Sequence, residues 1–260
     1  MLQELAFDTT AFNIPSGTVE HIQSALRRGL PELPPAICSH DGTFVIAGSG
    51  PSLAQNLDGL RNEREQGRPI CAIKGAHDFL IDNGIEPDLF LSIDPRDRRN
   101  NVQRVPENTV YLLASRCSPV MFDHLKDRHV MLWHAYSSAD ENECFKGTKH
   151  YLIGGMSTSG LRAVNVAYYM GFRRVVMYGM DSCNAPDGIT KRVDGSLTGQ
   201  TTDVIVGHTG KKFIANIAMA QQAKDFQRLW TMMPDLQVEV KGDGLLAAIH
   251  AERKRLGMPA

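Results

Sequence analysis

No two of the five cysteines stand at C-x-x-C spacing, and none has a histidine at zinc-finger distance. Neither a disulfide scaffold nor a zinc finger therefore organises the chain, and Cys38, Cys71, Cys117, Cys144 and Cys183 read as reduced, mostly structural thiols. A G-x-x-x-x-G-K-[ST] run is missing too, which argues against a P-loop ATPase. Charge of one sign is not in excess: 28 lysines and arginines face 29 aspartates and glutamates. There is no bulk field to hold the protein on nucleic acid or an anionic membrane, so neither is an expected partner. No stretch reaches the ~20 apolar residues that cross a bilayer. Met1 to Glu20 also lacks a basic segment followed by an apolar one, and the expected location is the cytoplasm. Internal repeats, low-complexity tracts and heptads are absent.

With 42% hydrophobic residues over 260 positions, the chain can bury a full core. Short Val/Ile/Leu runs alternate with helix-period segments, the pattern of an α/β, Rossmann-like, mostly parallel sheet with helices on both faces. Strands are expected at Thr43 to Ala47, Pro69 to Ile73, Asp88 to Ile93, Thr109 to Ala114, His129 to Trp133, Arg174 to Tyr178 and Gln237 to Val240, with a short one at Tyr151 to Ile153. Helices are expected at Ser52 to Leu60, Ala76 to Asn83, Pro119 to Leu125, Ser159 to Met170, Phe213 to Met233 and Gly244 to Leu256. Residues 1 to 42, with one helix at Val19 to Arg28 and the proline-rich Pro31 to Pro35, read as an N-terminal extension packed on a nucleotide-binding catalytic domain spanning 43 to 260. Ser182 to Lys212 is rich in Gly, Asp, Thr and Ser and has no clear period. It is expected to be a lid, mobile until ligand binds.

The strongest local signal is Thr43-Phe-Val-Ile-Ala-Gly48-Ser49-Gly50-Pro51-Ser52-Leu53, an apolar strand passing through a tight glycine turn into a helix. Gly48 and Gly50 permit the turn and a ligand's close approach, Pro51 pre-sets the first helical dihedral, and the amides from Gly48 to Ser52 are expected to hold an anion. An ordinary strand-to-helix turn has the same outline. A dinucleotide fingerprint would place glycine at Leu53 and an acid near Lys74, so a nicotinamide or flavin cofactor is disfavoured. Asp94 ends a buried strand where α/β sheets bind ligands and suits Mg²⁺ or a ribose, though aspartate also caps turns there. Ser157, Thr158, Ser159 and Gly160 open a helix with small and hydroxylated side chains that admit a sugar, base or phosphate, or else simply cap it. Asp181 lies just past the strand Arg174 to Tyr178. In the long loop, His208 is a candidate general base beside Lys211 and Lys212, which can neutralise phosphate; an exposed loop is the plainer alternative.

Taken in order, Gly48-Ser-Gly-Pro-Ser-Leu53, Gly84-Ile-Glu-Pro-Asp88 with Ser92-Ile-Asp94-Pro95, Ser157 to Gly160, Tyr178-Gly-Met-Asp181 and Lys241-Gly-Asp-Gly244 resemble one family. It holds the MptE-like 6-hydroxymethyl-7,8-dihydropterin pyrophosphokinases and the flagellin motility accessory factor glycosyltransferases. A more distant similarity reaches bacterial sialyltransferases that use CMP-sugars. The resemblance implies a transferase. In the first form, ATP lies along the Gly48 turn, Mg²⁺ is held by Asp94 and Asp181, and a hydroxymethylpterin-like acceptor takes a diphosphate. In the second, a CMP- or other nucleotide-activated sugar is the donor and His208 the base. A non-catalytic nucleotide-binding protein is a third reading. The implied partners are a nucleotide and a small-molecule acceptor, with homo-oligomerisation left open.

Overall fold

A computed structural model describes residues 16–197, 204–208 and 210–260, the segment 204–208 by its backbone alone. Its centre is a parallel sheet of eight strands: β1 (His40–Ala47), β2 (Ile70–Ile73), β3 (Leu89–Ser92), β4 (Val110–Ala114), β5 (His129–Ala135), β6 (Leu152–Ile153), β7 (Phe172–Tyr178) and β10 (Gln237–Val240). Between the last two stands an antiparallel hairpin, β8 (Val204–His208) and β9 (Lys211–Ala215). The order across the sheet is β10-β7-β1-β2-β3-β4-β5-β6. The chain therefore builds outward from β1 to β6, then returns to the other side of β1. That reversal leaves a crevice between the C-terminal ends of β1 and β7, where open α/β sheets bind their ligands.

Period-two alternation explains why the central strands are apolar at every position. Val45 and Ala47 of β1 point to one face, packed with Ile70, Ala72, Val176 and Tyr178 under Leu60 of α2 (Leu57–Glu65) and Leu80 of α3 (Ala76–Asp82). Phe44 and Ile46 point to the other, with Cys71, Ile73, Val175 and Met177. There they meet Leu161 and Val164 of α6 (Ser159–Tyr169), Phe226 of α7 (Ile217–Gln227) and Leu246 of α9 (Leu245–Arg255). On the far half, α1 (Thr18–Leu26) packs against α4 (Pro119–His124) and α5 (Ala139–Glu143). A short α8 (Leu229–Met232) follows α7. No helix among the described residues is long and apolar enough to cross a membrane. All five cysteines are free, and burial pushes the thiols of Cys71, Cys117 and Cys183 up.

Three elements differ from the sequence reading. The expected helix Phe213 to Met233 begins only at Ile217, because Lys211–Ala215 pairs with Val204–His208 and the Asn216 side chain caps α7 by accepting from Met219 N at 2.9 Å. The helix expected from Ser52 opens as a 3-10 turn, Pro51–Asn56, before becoming α2. β1 begins at His40 rather than Thr43, and the segment ahead of it is stitched to the sheet. Leu33 N donates to Leu132 O at 2.7 Å, Leu132 N to Pro31 O at 2.8 Å and Ala36 N to Tyr169 O at 3.0 Å. Residues 1–15 of the expected extension, and 198–203 and 209 of the expected lid, lie outside the described residues.

Candidate functional site

Two loops meet back to back at the crevice. Gly48 N donates to Tyr178 O and Gly50 N to Gly179 O, each at 2.8 Å. Gly179 takes a φ of 60°, open to glycine at no steric cost, and a Cβ on Gly48 would stand 2.6 Å from the Gly179 carbonyl oxygen. A Cβ on Gly50 would collide with the Asp181 carboxylate. These glycines are required first by how closely the β1 and β7 loops approach each other.

That approach corrects the expected anion site. Ser52 N donates to Asp181 Oδ2 at 2.9 Å, so the aspartate itself sits at the start of the 3-10 turn where a bound anion was expected. With the Gly50 amide used inside the fold and Pro51 lacking one, Ser49 keeps the open amide of this turn among the described residues. Burial raises the Asp181 carboxyl above its ordinary range; the Ser52 contacts oppose this and the neighbouring Asp243 charge adds to it.

A cleft of about 190 Å³ opens beside these loops, lined by Ser49, Gly50, Lys74, Thr158, Ser159, Asp181 and Arg192 among others. It adjoins a larger one of about 470 Å³ that shares Asp181 and Arg192 and adds Pro51, Ser52, Asn184, Thr190, Lys212 and Asp243. Thr158 caps α6, accepting from Leu161 N at 3.4 Å, so the first turn of an 11-residue helix faces the smaller cleft with Ser159 and Gly160. Ser157 is turned elsewhere: its backbone N donates to Asp225 Oδ2 at 3.1 Å and its hydroxyl to the same oxygen, and it lines neither cleft.

Lys74 is a cleft-lining residue that the sequence reading did not single out as a candidate. It follows β2 with a φ of 55°, a left-handed backbone that a lysine adopts only where its surroundings hold it, and its half-buried side chain lines the smaller cleft. Burial pulls its ammonium down to about 8; Asp94 pushes the other way, while Arg192, Arg98 and Arg96 repel it. The signal was present in the sequence: a base stands at the end of β2 where a dinucleotide fold would carry an acid.

Asp94 follows β3 at the expected edge, but the structure does not place it beside Asp181 in either cleft. Its Oδ1 takes Arg96 Nε at 2.8 Å and its Oδ2 takes Arg96 NH2 at 2.9 Å and Arg98 Nε at 2.8 Å. Burial pushes its carboxyl up, yet those hydrogen bonds outweigh it and hold the group at about 2. With Arg96 N also donating to Oδ1, at 3.1 Å, four hydrogen bonds engage this carboxylate, which faces the cationic cluster around Lys74 and would have to give some of them up to take Mg²⁺. Asp181 Oδ1 makes no hydrogen bond among the described residues, and the neighbouring Asp243 lines the larger cleft with it, so these two carboxylates could hold a divalent ion. His208 ends β8 with its backbone paired to Lys211 across the hairpin turn, and its side chain lies outside the described residues. Lys211 is exposed and lines neither cleft, whereas Lys212 does line the larger.

The fold is shared with a solved structure described as MAf glycosyltransferase from Magnetospirillum magneticum AMB-1, at a TM-score of 0.67 and 16% identity. The match covers 87% of this chain and 37% of that one, so the chain spans little more than a third of that neighbour's length. A mammalian sialyltransferase in complex with Gal-beta-1-3GalNAc-ortho-nitrophenol matches at a TM-score of 0.46 and 8% identity, over 88% of this chain and 81% of that one. No curated protein matches the sequence. The family described as 6-hydroxymethylpterin diphosphokinase MptE-like matches residues 17–187, which carry β1 to β7, both glycine loops, Lys74, Asp94 and the start of α6. The chain belongs to the 6-hydroxymethylpterin diphosphokinase MptE-like family.

Proposed function

We propose that the protein is a nucleotide-dependent transferase that carries diphosphate from ATP to a hydroxymethylpterin-like alcohol. The observation that carries this reading is the convergence on one cleft of the Ser49 amide, the N-terminus of α6, Lys74 and Arg192, four groups that all favour phosphate oxygens. Membership of the family supports a transferase reading, and its description motivates the choice of diphosphate transfer. The acceptor hydroxyl passes its proton to a general base, for which His208 is the candidate, as its oxygen attacks the β-phosphorus; the bond to the α,β-bridging oxygen breaks and AMP leaves with the electron pair. Lys74 and Arg192 stabilise charge on the equatorial oxygens as it redistributes. A Mg²⁺ held by Asp181 and Asp243 would neutralise the donor's phosphates.

A second reading, glycosyl transfer from a nucleotide sugar, is favoured by the larger cleft. Among its described lining residues Asn184, Asp187, Thr190 and Asp243 offer amide, hydroxyl and carboxylate groups suited to a sugar, and Phe213 alone offers a ring for a pterin to stack on. In that reading His208 takes the acceptor's proton. Product analysis separates the two. With ATP, Mg²⁺ and 6-hydroxymethyl-7,8-dihydropterin, the first gives AMP and a pterin diphosphate in equal amounts. Free nucleotide released from CMP- or UDP-sugars, with no AMP from ATP, would replace it by the second.

A further inference from the structure

A second constellation lies away from the crevice, at the β5–β6 side of the sheet. Counting strands from β1 to β5 puts it about 19 Å away at the usual interstrand spacing. The segment after α1 runs alongside β5, with Glu32 in parallel register with Leu132. Two residues further along β5 comes His134, and just ahead of β6 comes His150. The Glu32 carboxylate lies 2.9 Å from His150 Nδ1 and 3.2 Å from His134 Nε2, and one donor atom from each of the three residues falls within 4.8 Å of the others.

The decisive residue is His134. It is 2% exposed; its Nδ1 has no hydrogen-bond partner, and its Nε2 has only the Glu32 carboxylate, 3.2 Å away and out of line for a hydrogen bond. A neutral imidazole carries one N–H donor and one bare acceptor, and a buried ring normally finds partners for them. Here one wall is apolar: the Phe145 ring centroid is 4.8 Å from that of His134 and 5.9 Å from that of His150. The other two neighbours are a second imidazole, 4.8 Å away centroid to centroid, and a carboxylate. Two imidazoles and a carboxylate around a common point form a donor set for a borderline divalent ion. In a tetrahedral zinc site the donors stand about 3.3 Å apart, so modest rotation of these side chains completes the geometry.

We infer that Glu32, His134 and His150 bind a zinc-class divalent cation that pins the segment after α1 to the edge of the sheet. The nitrogen donors select zinc or cobalt over Mg²⁺ and Ca²⁺, which take oxygen ligands. Three protein donors leave a fourth position for water. The site is independent of the transferase reading, because none of its residues lines either cleft.

The test uses the full chain stripped with chelator. One equivalent of Zn²⁺ per chain should be retained after desalting, measured by elemental analysis. Zn²⁺ or Co²⁺ should raise Tm where Mg²⁺ at the same concentration does not, and Co²⁺ should develop the visible absorption of a tetrahedral nitrogen–oxygen site. Because His134 is buried, its replacement risks the fold. Glu32→Gln and His150→Ala, at less buried positions, are the informative variants. Each should lower zinc affinity at least 100-fold while leaving the circular dichroism spectrum unchanged. Retention of less than 0.1 equivalent by the wild type, or wild-type zinc affinity in both variants, would overturn the inference.

Discussion

Lys74 joins a strained backbone to an exposed task. Charge-assisted hydrogen bonds contribute about 1.5–3 kcal/mol, so Lys74→Met should weaken binding of ATP or a nucleotide sugar roughly 10- to 100-fold without loss of fold, as titration calorimetry would read. The pH dependence has two opposite signs. The folded residue releases its proton at about 8 and the unfolded one at its ordinary 10.5, so between those values the unfolded chain binds more protons and the ligand-free protein gains stability from this residue as pH rises. Anion affinity runs the other way, full below pH 8 and falling above it as the charge is lost. A flat affinity profile from pH 7 to 9.5 in the wild type, measured by calorimetry, would remove Lys74 from the site. Gly50 is a different kind of residue. Its missing Cβ makes room for the Asp181 carboxylate, so even Gly50→Ala should cost about 1–3 kcal/mol of stability, a Tm loss of roughly 2–12 °C by calorimetry. Such a variant cannot report cleanly on binding, and Ser49 or Arg192 substitutions are the better probes. His208→Ala tests the base assignment: a base contributes about 10²- to 10⁴-fold, so kcat should fall by that range with KM little changed in steady-state assays. An unchanged kcat would move the base elsewhere.

At the scale of elements, the long polar segment after β7 departs most from its sequence outline. Its composition suggested a run with little to bury, yet its described first half is anchored. Asn184 N donates to Ile214 O at 2.8 Å, Ala185 N to Thr190 O at 2.7 Å and Val193 N to Ser49 O at 3.0 Å. The last of these ties the segment to the Gly48 loop, and Arg192 beside it reaches both clefts. Trypsin should therefore cut after Arg192 and Lys212 more slowly when nucleotide is bound, because both residues line the space the ligand fills. Equal digestion rates with and without saturating nucleotide would show that this segment does not cover it. The hairpin escaped sequence reading because Phe213, Ile214 and Ala215 suit either period over so short a run, and what decides for strand is their pairing with Val204–His208 across a tight turn. Where the decisive residue is local and its signal strong, as with Pro119 opening α4, the boundary is readable.

Across the whole molecule, a nucleotide at 100 times its dissociation constant should stabilise the fold by about 2.7 kcal/mol. Calorimetry should show this as a Tm rise of roughly 5–11 °C for a chain of this size. No shift with ATP, CTP, CMP or UDP would exclude a nucleotide site. The α/β class and nearly every strand of the sheet are legible from residue order alone, because two-sided burial writes itself as continuous apolar runs such as Phe44 to Ala47. The glycine loops are legible too, since only glycine tolerates such close backbone contact, as is the order of blocks that marks the family. Tertiary structure alone decided what each charged residue does. Asp181 caps a turn that precedes it by 129 residues. Lys74 acquires its lowered proton affinity from burial and from arginines elsewhere in the chain. Glu32 meets His150 across 118 residues. Apolar periodicity is a local record of burial, whereas the electrostatic role of a side chain depends on distances that exist only once the β1, β2, β3 and β7 loops are gathered at one edge of the sheet.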